Sequence, residues 1–181
     1  DLSREHGKGD FNCMRLKSFI VAIAMVGAAT ASAEAQVLTE HNVSLELAMA
    51  IAEASIADCA ADGFDVTVAV VDRAGDLKLL MRADSSNPHN ADLARRKAYT
   101  ARTTGVSSMD FARRTLVPAT PGPASDLSGQ RGMEDVIALG GGLPIMMGNE
   151  KIGGFALSGA TTQEDDEKCA RVGLASVGTI E

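Results

Sequence analysis

Residues 140–161 read GGGLPIMMGNEKIGGFALSGAT, where seven glycines interrupt two apolar runs. The runs at 143–147 and 152–157 flank a short polar turn, and this pattern predicts a β-hairpin. The order of the glycines matches neither the P-loop nor the dinucleotide-binding pattern, since both need a glycine loop that opens a helix directly. We therefore expect the glycines to let backbone or a flat ligand approach the sheet closely, and not to bind phosphate.

The sequence on either side of this hairpin predicts helices and further strands. Helical spacing predicts helices at 43–61, 91–104 and 108–114, and apolar runs at 66–71 and 77–81 flank a polar turn and predict a second hairpin. A short apolar run at 136–139 predicts a fifth strand, and a capping-box-like pattern at Thr162 begins a last helix that runs to about residue 176. The irregular stretch 115–132 is long enough to suggest a functional loop. This order predicts a single-domain α+β fold, with a five-stranded antiparallel sheet and flanking helices.

The first 33 residues have the composition of an export signal. A positively charged start at 14–17 precedes an apolar run at 19–29, and an A-x-A pattern ends at Ala33. The apolar run is too short to cross about 30 Å of hydrocarbon. We predict a periplasmic or secreted protein with no membrane span after cleavage. We assign 1–13 to an upstream non-native segment or an over-called start, 14–33 to a signal peptide and 34–181 to the folded domain.

Composition restricts the partners of this protein. The formal net charge is −7, from 17 basic and 24 acidic residues, which disfavours nucleic-acid binding. Two of the three cysteines, Cys59 and Cys169, lie in predicted helices of the folded domain. They could pair in an exported protein, or could serve unpaired as small buried apolar residues, and the sequence leaves both alternatives open.

Sequence motifs of hydrolases and metal sites are absent from the chain, and we assign no catalytic residue and no metal ligand. The acidic run at 164–167 could suggest a metal cluster. We interpret it instead as a helix N-terminus, because four consecutive side chains point around a helix and negative charge is favourable there. A lone acid such as Asp72 could act as a base, but its position just past a strand is typical of a turn.

One basic cluster stands on this acidic chain, in the predicted helix 91–104. Arg95, Arg96 and Lys97 could form a solvated helix face, or could bind carboxylates, because arginine forks match carboxylates in geometry. His89 precedes the helix, and His41 lies near the start of the folded domain. These five residues are the candidate cofactor-binding residues.

Three stretches together resemble the GlcG/HbpS family of haem-binding proteins, to which the C-terminal domain of PduO belongs. They are VTVAVVDRAGDLKLLMRAD at 66–84, ARRKAYTARTTG at 94–105 and GGGLPIMMGNEKIGGFALSGATTQEDDEKCA at 140–170. The resemblance covers nearly all of 38–178. It implies a profilin-like α/β sandwich with five antiparallel strands, assembled into a homo-oligomer, often an octamer. It also implies non-covalent haem binding in some members, and haem degradation or redox sensing in the group.

The resemblance leads to a first hypothesis, an exported oligomeric haem-binding protein. Arg95, Arg96 or Lys97 would hold the propionates, and His89 or His41 would approach the iron. The alternative is a non-catalytic accessory protein of a periplasmic catabolic pathway, which binds either a small planar or carboxylate-bearing metabolite or a partner enzyme. A third hypothesis, an enzyme acting on a small carboxylate, has little support from the motifs. Weak haem-degrading activity is compatible with the first hypothesis.

Overall fold

The computed structural model describes residues 36–115 and 128–180. The chain divides into a unit of residues 1–38 and a unit Thr39–Glu181. The described helices and strands all lie in the second unit. The predicted signal peptide at 14–33 and the predicted upstream segment at 1–13 lie outside the described residues and stay predictions.

The fold is a four-stranded antiparallel sheet between helices. The strands are β1 (Thr67–Val71), β2 (Leu77–Arg82), β3 (Gly142–Met147) and β4 (Glu150–Ser158), in the spatial order β2-β1-β4-β3. The helices are α1 (Leu45–Ala61), α2 (Asn90–Thr104), α3 (Ser108–Arg114) and α4 (Gln163–Ser176), with a short 3-10 helix at Ser128–Gly132. The α+β class, the antiparallel sheet and the flanking helices are confirmed, and the described residues contain four strands where five were predicted.

Pairing of β1 with β4 joins the two predicted hairpins into one sheet. Val68 lies opposite Leu157 and Val70 lies opposite Phe155. These four residues are fully buried in one core cluster. Because side chains alternate across a strand, one face of the sheet carries this large apolar set against α1 and α4.

The opposite face of the sheet carries small residues, and α2 packs against it. A Cβ atom added to Gly154 would lie 2.5 Å from the carbonyl oxygen of Ala98, and one added to Gly142 would overlap the carbonyl oxygen of Lys97. Both oxygens belong to the backbone of α2, which cannot be displaced without moving the helix. Of the two expected roles of the glycines, close approach of backbone is therefore the one observed.

The fifth strand, predicted at 136–139, is not formed. The backbone of this segment bonds to side chains of α2 in place of a neighbouring strand. Arg96 donates to the carbonyl oxygen of Val136 at 3.0 Å. The amide of Ile137 donates to Thr100 Oγ1 at 2.9 Å, and the same hydroxyl lies 3.3 Å from the carbonyl oxygen of Ile137. The prediction was wrong because an apolar run does not reveal which groups will form hydrogen bonds with its backbone.

Helices α1 and α4 are joined by a disulfide between Cys59 and Cys169, with the two Cα atoms 5.6 Å apart. Both cysteines are fully buried. One turn further along α4, Gly173 faces Ser55 so closely that an added Cβ would overlap its hydroxyl. Of the two alternatives left open by the sequence, the structure has the disulfide.

Candidate functional site

The three consecutive cations of α2 lie in two different environments. Arg95 and Arg96 keep about a third of their side chains exposed, at 32% and 33%, whereas Lys97 is only 3% exposed. Successive residues of a helix point about 100° apart, so a run of three basic residues cannot share one face. The sequence grouped these residues together, and the structure separates Lys97 from the two arginines.

Lys97 Nζ lies in the core and has three oxygen neighbours, which is the number of protons an ammonium can donate. It donates to Asp166 Oδ2 at 2.7 Å, to the Leu157 carbonyl oxygen at 3.3 Å and to Ser158 Oγ at 3.3 Å. Asp166 also accepts the backbone N–H of Ala160 at 3.0 Å. This arrangement connects α2, β4 and α4, and it leaves the ammonium of Lys97 no free donor for a ligand carboxylate.

Burial opposes charge on both members of this pair. It lowers the pKa of Lys97, and the attraction and hydrogen bond of Asp166 counteract that shift only in part. Burial likewise raises the pKa of Asp166, against the opposing effects of Lys97 and of two backbone N–H groups. The sequence placed Asp166 in an exposed acidic helix start. The helical spacing could have indicated that Asp166 is buried, because Asp166 shares its helix face with the buried Cys169 and Gly173, three and seven positions later.

A chain of buried polar side chains continues from this pair. Ser158 Oγ lies 3.5 Å from Asn90 Oδ1, and Asn90 Nδ2 donates to Ser86 Oγ at 3.1 Å. Ser86 Oγ in turn lies 2.9 Å from Thr67 Oγ1. Each of these polar groups is paired, as the low dielectric of an interior requires. The network fastens the start of α2 to the start of β1 and the end of β4.

Arg95 and Arg96 hold residues 133–139, which we name the strap. Arg95 donates to Asp135 Oδ1 at 2.7 Å and to Asp92 Oδ1 at 3.2 Å. The hydrogen bond with Asp135 is the main cause of the raised pKa of Arg95, and the same bond lowers the pKa of Asp135. Asp135 has a φ angle of 62°, in the left-handed region that aspartate and asparagine enter more readily than most residues. Sequence reasoning missed Asp135, since nothing in its neighbourhood marks it as a partner of α2.

His89 is the N-cap residue of α2, is exposed, and makes no side-chain capping hydrogen bond. Asp92 and Arg96 follow it three and seven positions later, so all three lie along one face of the helix. The structure thus places His89 at the N-terminus of α2, with Arg95 and Arg96 about two turns later, near the middle of the same helix. His89 and Arg96 are about 10 Å apart along the axis, at 1.5 Å per residue.

His41 lies elsewhere. Its Nδ1 is 2.8 Å from Glu150 Oε2, and Arg73 pairs with the other oxygen of the same carboxylate. The hydrogen bonds from His41 and then Arg73 lower the pKa of Glu150. Glu150 begins β4 and Ser158, which lies beside Asn90, ends it. The eight residue steps of β4, each about 3.3 Å long, separate Glu150 from Ser158 by roughly 26 Å. The two candidate histidines therefore lie at opposite ends of the sheet within one chain.

The first half of α2 carries donor groups of the kinds that a flat, carboxylate-bearing ligand would need. The imidazole of His89 makes no capping hydrogen bond to the helix, and the guanidinium groups of Arg95 and Arg96 are partly exposed. Met133, at the near end of the strap, adds an exposed apolar side chain. Imidazole is a common ligand of iron, and guanidinium pairs with carboxylates.

A separate open cavity of about 610 Å³ lies between α3, β3 and α4. Leu143, Pro144 and Leu174 provide its apolar wall, and Asp110 and Arg171 provide charge. No residue that we singled out from the sequence as a candidate ligand lines this cavity.

Two kinds of site do not occur in the parts of the chain that the structure describes. Across 36–115 and 128–180, no three side chains of histidine, cysteine, aspartate or glutamate cluster in a way that could hold a metal ion. In the same ranges, no helix has both the length and the apolar character needed to cross a membrane.

Comparison with known proteins shows that solved structures share this fold. The chain is 29% identical to HbpS from Streptomyces reticuli, solved as a double glutamate-to-aspartate mutant, with a TM-score of 0.70 over 79% of this chain and 91% of that chain. A crystal structure of a PduOC:heme complex shares the fold, with a TM-score of 0.65, 22% identity, and coverage of 75% of this chain and 95% of that one. An uncharacterized 15.0 kDa protein from the dhaT-dhaS intergenic region of Citrobacter freundii is 27% identical over 125 residues, which are 68% of this chain and 84% of that protein.

The family comparison covers the same region as the compact unit. The model of the family described as "Haem degrading protein HbpS-like" matches residues 43–175, from just before α1 to the last turn of α4. This match spans most of the chain and includes α2, the strap and the glycine-rich hairpin. The chain belongs to the HbpS-like family.

Proposed function

We propose that this protein binds haem non-covalently, with His89, Arg95 and Arg96 as the binding residues. The observation that carries the proposal is the family match over residues 43–175, in a chain that shares 29% identity with HbpS. The same fold holds heme in the PduOC complex, which supports the proposal at the level of the fold.

The chemistry of the α2 face suits each part of a haem. The imidazole of His89 would supply a nitrogen ligand to iron, and the guanidinium groups of Arg95 and Arg96 would pair with the two propionates. Bound haem would supply a redox-active iron. His41 suits the iron less well, because its Nδ1 is already held by Glu150. Lys97 suits a propionate less well, because its ammonium is buried against Asp166.

We further propose that the protein is exported and forms a homo-oligomer, an octamer as the resemblance implies. The disulfide between Cys59 and Cys169 supports an oxidising compartment, since such bonds persist mainly outside the cytosol. Exposed apolar side chains on α1 and β2 support self-association. These are Leu45, Met49, Leu77 and Leu80. Haem degradation or redox sensing would then be the role of the loaded oligomer.

Hemin titration tests the haem proposal. The purified protein should shift the Soret band of hemin with saturable binding. His89→Ala should change the position of the band, because the axial ligand is lost. Arg95→Ala/Arg96→Ala should weaken binding and leave the band position of the bound form unchanged.

His41→Ala is the matched control in this titration, because it removes the other candidate imidazole at the far end of the sheet. Its spectrum and affinity should equal those of the parent protein. Absence of any Soret shift in the parent would reject haem binding. A shift that His89→Ala leaves unchanged would reject the ligand assignment alone.

The open cavity beside α3 supports a second candidate function, an accessory protein that binds a small carboxylate-bearing metabolite. Arg171 is the cavity's cation and is 62% exposed, although it pairs with Glu167. Arg171→Ala should abolish binding of small carboxylates under this candidate and should leave hemin binding unchanged. Calorimetry with a panel of small carboxylic acids would separate the two candidates.

A further inference from the structure

The guanidinium of Arg95 is partly exposed on the proposed binding face, yet it already holds a carboxylate of the same chain. Asp135 Oδ1 lies 2.7 Å from Arg95 Nη2, and this aspartate keeps 43% of its side chain exposed. A propionate would make the same kind of hydrogen-bonded ion pair with the same atoms. The carboxylate of Asp135 therefore occupies the position on Arg95 that a carboxylate of the ligand would take.

We infer that Asp135 is an internal competitor that occupies Arg95 until a ligand carboxylate displaces it, and that Asp135 thereby sets the affinity of the site. This inference rests on the proposed function, since Arg95 must be a ligand-binding residue. A ligand without an anionic group cannot replace Asp135 in a comparable ion pair with Arg95, so the contact also selects for anionic ligands. Asp92, one turn earlier on α2, keeps a second hydrogen bond on the guanidinium during the exchange.

The geometry allows Asp135 to leave Arg95 while the rest of the strap stays in place. The side chain of Val136 is buried, and its carbonyl oxygen accepts from Arg96. Ile137 is fixed by two contacts to the hydroxyl of Thr100. Only the exposed carboxylate of Asp135 needs to rotate away. The exchange is thus a side-chain event and does not need the strap to unfold.

Asp135→Asn is the appropriate perturbation, because asparagine tolerates the left-handed backbone at a φ of 62° and removes only the charge. Partly exposed ion pairs are weak, so relieving this competition should tighten hemin binding by roughly 2- to 5-fold. The titration should also include Arg95→Ala and the double variant Arg95→Ala/Asp135→Asn. Without Arg95 there is nothing to compete for, and the second substitution should then have no effect on affinity.

Asp62→Asn is the control for the change in net charge, because hemin is an anion and any lost carboxylate could favour it. Asp62 pairs with Lys168 and is 42% exposed, almost the same as Asp135. The variant Asp62→Asn should bind hemin with the same affinity as the parent, within the error of the measurement. Amide exchange of Ile137 should be unchanged in Asp135→Asn, since the strap remains attached.

Each other outcome overturns the inference. Equal affinities of Asp135→Asn and the parent, an equal gain in Asp62→Asn, or the same gain in the Arg95→Ala background would each contradict competition at Arg95. Faster exchange of Ile137 would assign the gain to a loosened strap. If neither the parent nor any variant binds hemin, the proposed function fails and the inference with it. That result differs from the others, in which hemin binds.

Discussion

Lys97→Met removes the ammonium that lies 2.7 Å from the buried carboxylate of Asp166. Methionine retains the apolar length of the side chain, so the perturbation is mainly electrostatic. The two side chains are only 3% and 6% exposed, and without Lys97 the carboxylate of Asp166 keeps backbone N–H donors alone, including that of Ala160 at 3.0 Å. Removing one member of a buried ion pair costs about 3–5 kcal/mol, because the remaining charge is uncompensated. We expect a loss of this size in the free energy of unfolding at pH 7.

The pH dependence of this loss has a definite sign. Burial already raises the pKa of Asp166, and Lys97 opposes that shift, so its removal should raise the pKa further. Between the pKa of an unfolded aspartate, about 3.9, and the raised value, the folded variant binds a proton that the unfolded chain has released. The stability of the variant therefore falls as pH rises through this window. The deficit relative to the parent should be largest at neutral pH and should shrink toward pH 4.

Urea denaturation followed by far-UV circular dichroism, with the disulfide intact, measures both effects. Lys97→Met should be compared with the parent at pH 7 and pH 5. The variant Lys97→Met/Asp166→Asn tests the cause, because its amide carries no charge and can still accept from Ala160. It should recover most of the lost stability and show no deficit that depends on pH. A loss below about 1 kcal/mol at pH 7, or one of equal size at both pH values, would refute the uncompensated-charge explanation.

Three smaller perturbations test other parts of the fold by the same urea assay. Replacing Cys59 and Cys169 together by alanine should cost about 2–5 kcal/mol, because the bridge spans a sequence separation of 110 residues and constrains the unfolded chain; a mass unchanged by reduction of the parent would contradict the bridge itself. Gly154→Ala should cost about 1–3 kcal/mol, because the new Cβ would lie 2.5 Å from a backbone oxygen of α2, whereas Gly129→Ala, with no atom within 4 Å, should be neutral. Thr162→Ala should cost about 1 kcal/mol, since Thr162 caps α4, and a loss near zero would show that the cap is dispensable.

Much of the fold follows from local pattern. The polar turn between two apolar runs predicts the hairpin of β3 and β4, and the corresponding pattern at 66–81 predicts the hairpin of β1 and β2. The cap at Thr162 correctly marks the start of α4. These features depend on residues within a few positions of each other, and a single sequence contains that information.

The candidate site was only partly predictable. The basic character of α2 pointed to Arg95 and Arg96, and the structure places both on the helix that His89 caps, about two turns after it. Periodicity could also have separated Lys97 from them, because Lys97 lies three positions after Ala94 and four before Ala101, on the small-residue face of the helix. Asp135 could not have been found, since it reaches Arg95 across 40 positions of sequence.

The sequence by itself determined the α+β class, the two hairpins, the approximate extents of the helices and the family resemblance, because short-range spacing and turn chemistry encode them. Only the tertiary structure decided that β1 pairs with β4, that Lys97 is buried against Asp166, that Cys59 bonds to Cys169, and that 136–139 bonds to α2 in place of forming a strand. The physical reason is common to all four. Each joins groups far apart in the chain, and which groups meet depends on how whole faces of helices and sheet pack together.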